Sequence, residues 1–210
     1  MKFYDIALAI VRFVFYVFNG KPQYTGLENL PAEDEAVIFA STHRSMTDPL
    51  FLAFPIYPRK IAFMGKDSLF RNKILGPILP HLHVFPVNRE KTSPKTIRHA
   101  VKVMNEDRLN LGIFPSGTRY STEIKGGTAF IQRLSKNSIV PVAIQPPIGF
   151  WQFILRKKAK VAFGKPIPYD PDMTYDKAKL AEIDQAIGDH FDLLDQQMTP
   201  GYTYIPPQKK

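Results

Sequence analysis

The sequence predicts an α/β fold: a single domain with a mixed, mostly parallel sheet flanked by helices, plus an N-terminal apolar membrane-interface helix. Three observations lead there. Short apolar runs with the spelling of buried strands, among them Ala36–Ala40, Ile61–Met64, Leu111–Phe114 and Ile139–Ile144, alternate with segments that carry helix caps or helical periodicity. The 210 residues, 44% of them hydrophobic, suffice for one substantial core, and they contain no internal repeat. Phe3–Phe18 is strongly apolar yet shorter than the roughly 20 residues a membrane span needs.

Taken in order, Phe3–Phe18 carries only Asp5 and Arg12, seven apart and so on nearly one face of a helix. That suits a helix lying in the bilayer interface with its polar stripe outward. Lys2 gives a basic start, but no Ala-x-Ala cleavage site follows the apolar core, so the stretch does not read as a signal peptide. The first strand leads to His43, and Thr47 reads as the cap of a short helix, Asp48–Phe54. A second strand, Ile61–Met64, is followed by Asp67 or Ser68 as cap of a helix running to Leu75, which places Lys66 at a strand-to-helix turn. Val84–Val87 is a third strand, and Ser93-Pro94 caps an amphipathic helix through Met104 whose basic face is solvated. Leu111–Pro115 is another strand, Gly126-Gly127-Thr128 begins a helix to Ser135, and Ile139–Ile144 and Lys160–Gly164 are further strands. Tyr175–Met198 closes the domain. The expected division is 1–20 as interface helix, 21–200 as the domain proper, and 201–210 as a loose tail.

Lys and Arg number 28 against 19 acidic residues, a formal charge of +9 with a pI near 9.6. The partners to consider are nucleic acid, an anionic membrane surface or a phosphorylated substrate. The basic residues are spread along the chain without a nucleic-acid module, so nucleic acid is set aside. Sixteen Phe and nine Tyr favour a membrane surface, notably in the first 20 residues and in Pro146–Lys158, where aromatics stand beside Arg156, Lys157 and Lys158. Without cysteine, disulfides, thiolate nucleophiles and zinc-thiolate sites are excluded.

The chemistry concentrates in two loops at strand ends. In Ser41–Asp48, the offset between His43 and Asp48 would put them about 140° apart on a straight helix, so they meet only across a turn. If they meet, the carboxylate holds the ring by Nδ1 and leaves Nε2 to take a proton from a hydroxyl. The spacing alone equally fits a capping carboxylate and a surface histidine. In Phe114–Ser121, Gly117 admits backbone close to a ligand, Thr118 offers a hydroxyl and Arg119 a fork for phosphate. His43, Lys66 and Arg119 all fall at carboxyl ends of strands, where sites of α/β sheets gather. The set suggests transfer of a group onto the hydroxyl of a phosphorylated substrate.

At these residues the chain resembles the glycerolipid acyltransferase family, most closely its bacterial 1-acyl-sn-glycerol-3-phosphate acyltransferases. Four blocks stand in the family's order: His43–Asp48 as His-x4-Asp, Gly65–Phe70, Phe114–Arg119, and Val140-Pro141-Val142. The resemblance implies transfer of a fatty acyl group from acyl-coenzyme A or acyl carrier protein, as co-substrate, to lysophosphatidic acid, giving phosphatidic acid without a metal or cofactor. His43 would be the general base and Asp48 its orienting partner. Lys66 and Arg119 would hold the acceptor's phosphate, with Gly117 and Thr118 shaping that pocket and Pro141 backing it. Attachment would be peripheral, on the cytoplasmic face of the cell membrane. One departure matters: the family's third block reads Phe-Pro-Glu-Gly-Thr-Arg, and Ser116 stands in place of the acid. A serine supplies no fixed negative charge, so the acceptor's identity is open to glycerol 3-phosphate or another lysophospholipid. A non-catalytic protein that binds anionic lipid is the remaining alternative.

Overall fold

The computed structural model describes residues 3–88 and 93–208; Lys2 and the two terminal lysines lie outside that range. Seven strands form one sheet: β1 (Gln23–Thr25), β2 (Ile38–Ser41), β3 (Ile61–Lys66), β4 (Val84–Val87), β5 (Asn110–Ile113), β6 (Ile139–Gln145) and β7 (Lys160–Phe163). Their order is β1-β7-β6-β2-β5-β3-β4. All neighbouring pairs are parallel except β6 with β7. The helices are α1 (Phe3–Phe18), α2 (Asp48–Ile56), α3 (Leu75–Ile78), α4 (Pro94–Asn105), α5 (Gly127–Ser135), α6 (Gly149–Ile154) and α7 (Lys177–Met198).

Period-two alternation sorts the strand side chains into two cores. In β2, Val37 before it and Phe39 within it join Tyr4, Leu8, Phe51 and Phe54, under α1 and α2. Ile38 and Ala40 join Ala100, Met104, Ile131, Ile183 and Ile187, under α4, α5 and α7. The sheet is thus covered on both faces, which is why its central strands are apolar throughout. Gly112 of β5 is required by packing, because a Cβ there would come within 2.2 Å of the Phe63 ring.

Three expectations are corrected. The run from Asp67 to Leu75 is no continuous helix but 3-10 turns around α3, because Asn72 turns its carboxamide oxygen onto the Ile74 and Leu75 amides and Gly76-Pro77 follows. The C-terminal segment is held down rather than loose: Tyr202 and Tyr204 both lie against the Arg44 guanidinium. The polar stripe of α1 faces the domain, not outward. Asp5 approaches Lys60 at 4.0 Å and Arg12 lies over the Tyr57 ring. Phe3, Ile6, Ile10, Phe13, Val14, Val17 and Phe18 are therefore the large apolar side chains left exposed on this helix. Among the described residues no helix is long and apolar enough to cross a membrane.

Candidate active site

Strands β2, β5 and β3 are adjacent and parallel, so their carboxyl ends share one edge of the sheet, with about 4.8 Å between neighbours. His43 follows β2, the loop Phe114–Arg119 follows β5, and Lys66 ends β3 with its side chain exposed. The topology brings these segments to one edge.

The chain leaves β2 anchored. The Thr42 amide donates to Val142 O at 3.0 Å, and the Thr42 hydroxyl oxygen accepts from the Ile144 amide at 2.9 Å. Pro141, buried in β6, stands in register with Ala40 and so backs this strand end. The turn then delivers Asp48 back to His43. Asp48 Oδ2 accepts from His43 Nδ1 at 3.0 Å and from the Arg44 and Ser45 amides at 2.6 Å each. The expected Thr47 side-chain cap is not made; the Thr47 hydroxyl pairs instead with that of Ser45 at 2.9 Å, and the Asp48 carboxylate closes the turn that leads into α2. Because Oδ2 accepts from two backbone amides, it is the acceptor for the ring as well. Nδ1 then carries the hydrogen and Nε2 the lone pair. Asp48 is fully buried and His43 nearly so.

The second loop leans on the first. Phe114 stacks on the His43 ring with centroids 4.2 Å apart. Gly117 turns the chain at φ 65°, a left-handed conformation that side chains disfavour, and its amide donates to Phe114 O at 2.8 Å. Ser116 donates its hydroxyl to Thr118 O at 2.7 Å, and Thr118 Oγ1 accepts from the Tyr120 amide. Both hydroxyls thus serve the loop itself. Arg119 is half-buried, its guanidinium over the Tyr120 ring.

Two cavities flank this loop. A polar one of about 620 Å³ is lined by His43, Ser116, Asp184, Asp192 and Tyr204, among others. An apolar one of about 580 Å³ is lined by Met64, Ile97, Ile113, Phe114, Ile131 and Leu134, with Arg98, Gly117 and Lys125 also in its wall. Phe114 is thus shared between the apolar cavity and the histidine stack. Among the described residues no cluster of three His, Asp or Glu has the makings of a metal site.

Arg44, which lies inside the His43–Asp48 block, has a role that the sequence does not reveal. Its guanidinium is buried, with Nη1 donating to Asp195 Oδ1 and to Ile144 O, both at 2.8 Å, and Nη2 to Asp195 Oδ2. Burial alone would lower its pKa, but the Asp195 hydrogen bonds and charge outweigh that and raise it. Gln145 Nε2 donates to the same carboxylate at 3.0 Å. Tyr204 was also missed; the sequence signal was a Tyr-x-Tyr in a Pro-rich, Lys-ended tail.

Residues 21–145, which include every catalytic and phosphate-holding candidate, match the model of the Acyltransferase family. A 1-acyl-sn-glycerol-3-phosphate acyltransferase of Streptococcus pneumoniae is 30% identical over 93% of this chain and 74% of its own length. A protein of the same name from Bacillus subtilis is 34% identical over 81% of this chain and 86% of its own. Among solved structures, the 1-acyl-sn-glycerophosphate acyltransferase PlsC of Thermotoga maritima superposes with a TM-score of 0.65. It covers 97% of this chain and 86% of its own at 18% identity, a likeness of fold. The chain belongs to the acyltransferase family.

Proposed function

We propose that this chain transfers a fatty acyl group from an acyl thioester to the sn-2 hydroxyl of 1-acyl-sn-glycerol 3-phosphate, giving phosphatidic acid in phospholipid synthesis. The names of its relatives support the reaction. The observation that carries the mechanism is the hydrogen bond from His43 Nδ1 to the buried Asp48 carboxylate. It leaves Nε2 to accept the proton of the acceptor hydroxyl as that oxygen attacks the thioester carbonyl. The new C–O bond forms, the C–S bond of the tetrahedral adduct breaks, and the leaving thiolate takes the proton back from Nε2. Asp48 balances the imidazolium between these steps. The acceptor itself is the nucleophile, so no acyl-enzyme forms.

Lys66 and Arg119 hold the acceptor's phosphate at the shared edge, with Gly117 and Thr118 shaping that pocket. The apolar cavity behind Phe114 suits an acyl chain. Acyl-coenzyme A or acyl carrier protein is the donor. The protein lies on the cytoplasmic face of the cell membrane, attached peripherally by two joined apolar surfaces. The exposed face of α1 is one; α6 and its flanks, with Trp151 and Leu155 exposed, are the other. Asn19 ties them by donating to Phe153 O and Lys157 O at 3.0 and 3.1 Å. Arg156, Lys157 and Lys158 stand at this junction, placed for anionic headgroups.

A second reading of the acceptor follows from Ser116. Its hydroxyl is spent on Thr118 O and no carboxylate stands at that point of the loop, which favours a different acceptor such as glycerol 3-phosphate or another lysophospholipid. Labelled acyl-coenzyme A and acyl carrier protein, each offered 1-acyl-sn-glycerol 3-phosphate, glycerol 3-phosphate and an unphosphorylated monoacylglycerol, separate the readings. The proposal expects fastest transfer to the first. Preference for the unphosphorylated acceptor would remove Arg119 as a phosphate ligand, and label left on the protein without acceptor would contradict direct attack.

A further inference from the structure

The C-terminal segment crosses the site and touches both of its halves. It starts from a fixed point: Lys160 Nζ donates to Met198 O and to the Thr199 hydroxyl, each at 2.8 Å, and that hydroxyl donates to Gln145 Oε1 at 2.8 Å. The end of α7 is thereby tied to β6 and β7. From there Tyr202 and Tyr204 reach the Arg44 guanidinium, their ring centroids 5.2 and 5.1 Å from its Cζ. Arg44 is next in sequence to His43 and is itself immobilised by Asp195 and Ile144 O. The Tyr204 hydroxyl then donates to Arg119 O at 3.1 Å.

That last bond is distinctive. Among the described residues, the other hydrogen bonds of residues 116–123 stay within their own loop. A loop that carries a phosphate ligand needs a fixed backbone if a long side chain such as arginine is to present its fork at one place. Tyr204 also lines the polar cavity beside His43 and Ser116, so the strap runs along the wall of the site.

We propose that Tyr204 is a positioning residue for acyl transfer: its ring rests on Arg44 beside the general base while its hydroxyl fixes the backbone of Arg119. The histidine and the phosphate-holding arginine are thus held in one register by the C-terminal strap. The inference rests on the assignment of Arg119 to the acceptor's phosphate.

The test is a double-mutant cycle in the full chain with Tyr204→Phe and Arg119→Ala. Tyr204→Phe keeps the ring on Arg44 and removes only the hydroxyl. It is expected to raise the acceptor KM about 2- to 10-fold, the range one hydrogen bond supports, with the donor KM unchanged and the unfolding temperature lowered by no more than a few degrees. In the Arg119→Ala background the same substitution should have no further effect on the acceptor KM. An unaltered acceptor KM in Tyr204→Phe, an equal rise for the donor, or full additivity with Arg119→Ala would overturn the proposal. An Arg119→Ala variant with normal acceptor KM would instead overturn the phosphate assignment, and that failure is read from the single variant alone.

Discussion

Replacing Asp48 with Asn keeps the side chain's volume and removes its charge. In the wild type, one oxygen serves three donors, the His43 ring at 3.0 Å and two backbone amides at 2.6 Å. The amides belong to the turn and cannot withdraw, so the Asn oxygen stays with them and the bond to the ring becomes a neutral one. The imidazolium that forms during proton transfer then lacks its counter-charge in a position with no solvent exposure at Asp48. A hydrogen bond to a charged group contributes about 1.5–3 kcal/mol. At about 1.4 kcal/mol per tenfold, kcat should fall about 10- to 150-fold. Initial rates at saturating donor and acceptor measure this, with thermal unfolding run beside them. The unfolding temperature should drop by a few degrees, because the weakened amide bonds also hold the turn. Wild-type kcat with a lowered unfolding temperature would show that Asp48 only holds the turn before α2, and the acid-base pair would be refuted.

Other consequences can be checked separately. Asp195→Ala leaves the buried Arg44 guanidinium without its carboxylate and should cost about 3–5 kcal/mol in urea unfolding; a loss below about 1 kcal/mol would mean the tyrosines and Ile144 O suffice. Burial pushes the Tyr4 phenol up to about 12 from its ordinary 10, so the neutral form's contribution is complete below pH 10 and is lost as pH rises toward 12. Tyr4→Phe should therefore lose less stability than wild type between pH 10 and 12, and parallel curves would contradict this. Phe13→Asp combined with Trp151→Asp removes exposed apolar area from both parts of the proposed docking surface, each side chain contributing about 1.5–3 kcal/mol when buried. Sedimentation with anionic vesicles should fall at least about tenfold, and undiminished binding would move the attachment elsewhere.

How far the sequence could be read depended on the distance over which each feature is determined. His43 and Asp48 are five residues apart, so the turn that joins them is local, and its strand was legible from the apolar run before it. The cap at Ser93 was equally local, its hydroxyl accepting from the Thr96 amide as expected. The orientation of α1 was not legible, because periodicity locates a polar stripe without saying what it faces. The partners that turn it inward, Lys60 and Tyr57, lie far along the chain. The three-residue β1 carries too short a pattern to register and exists by pairing with β7. Arg44 and Asp195 are 151 residues apart, and only the folded sheet brings the end of α7 to the strand end where Arg44 sits. The strap of Tyr202 and Tyr204 was hidden for the same reason. Of the loop after β5, the glycine turn was legible, whereas the stacking of Phe114 on His43 required the order β2-β5 in the sheet.

The central claim is that His43 deprotonates the acceptor's hydroxyl. Its most direct test is transfer of labelled acyl groups from both thioester donors to 1-acyl-sn-glycerol 3-phosphate by the wild-type chain and by His43→Ala, with circular dichroism to verify the fold. The account predicts turnover by the wild type and a loss of at least about 100-fold in kcat for the folded variant, the lower range for a general base. A folded His43→Ala chain that turns over at the wild-type rate would contradict it.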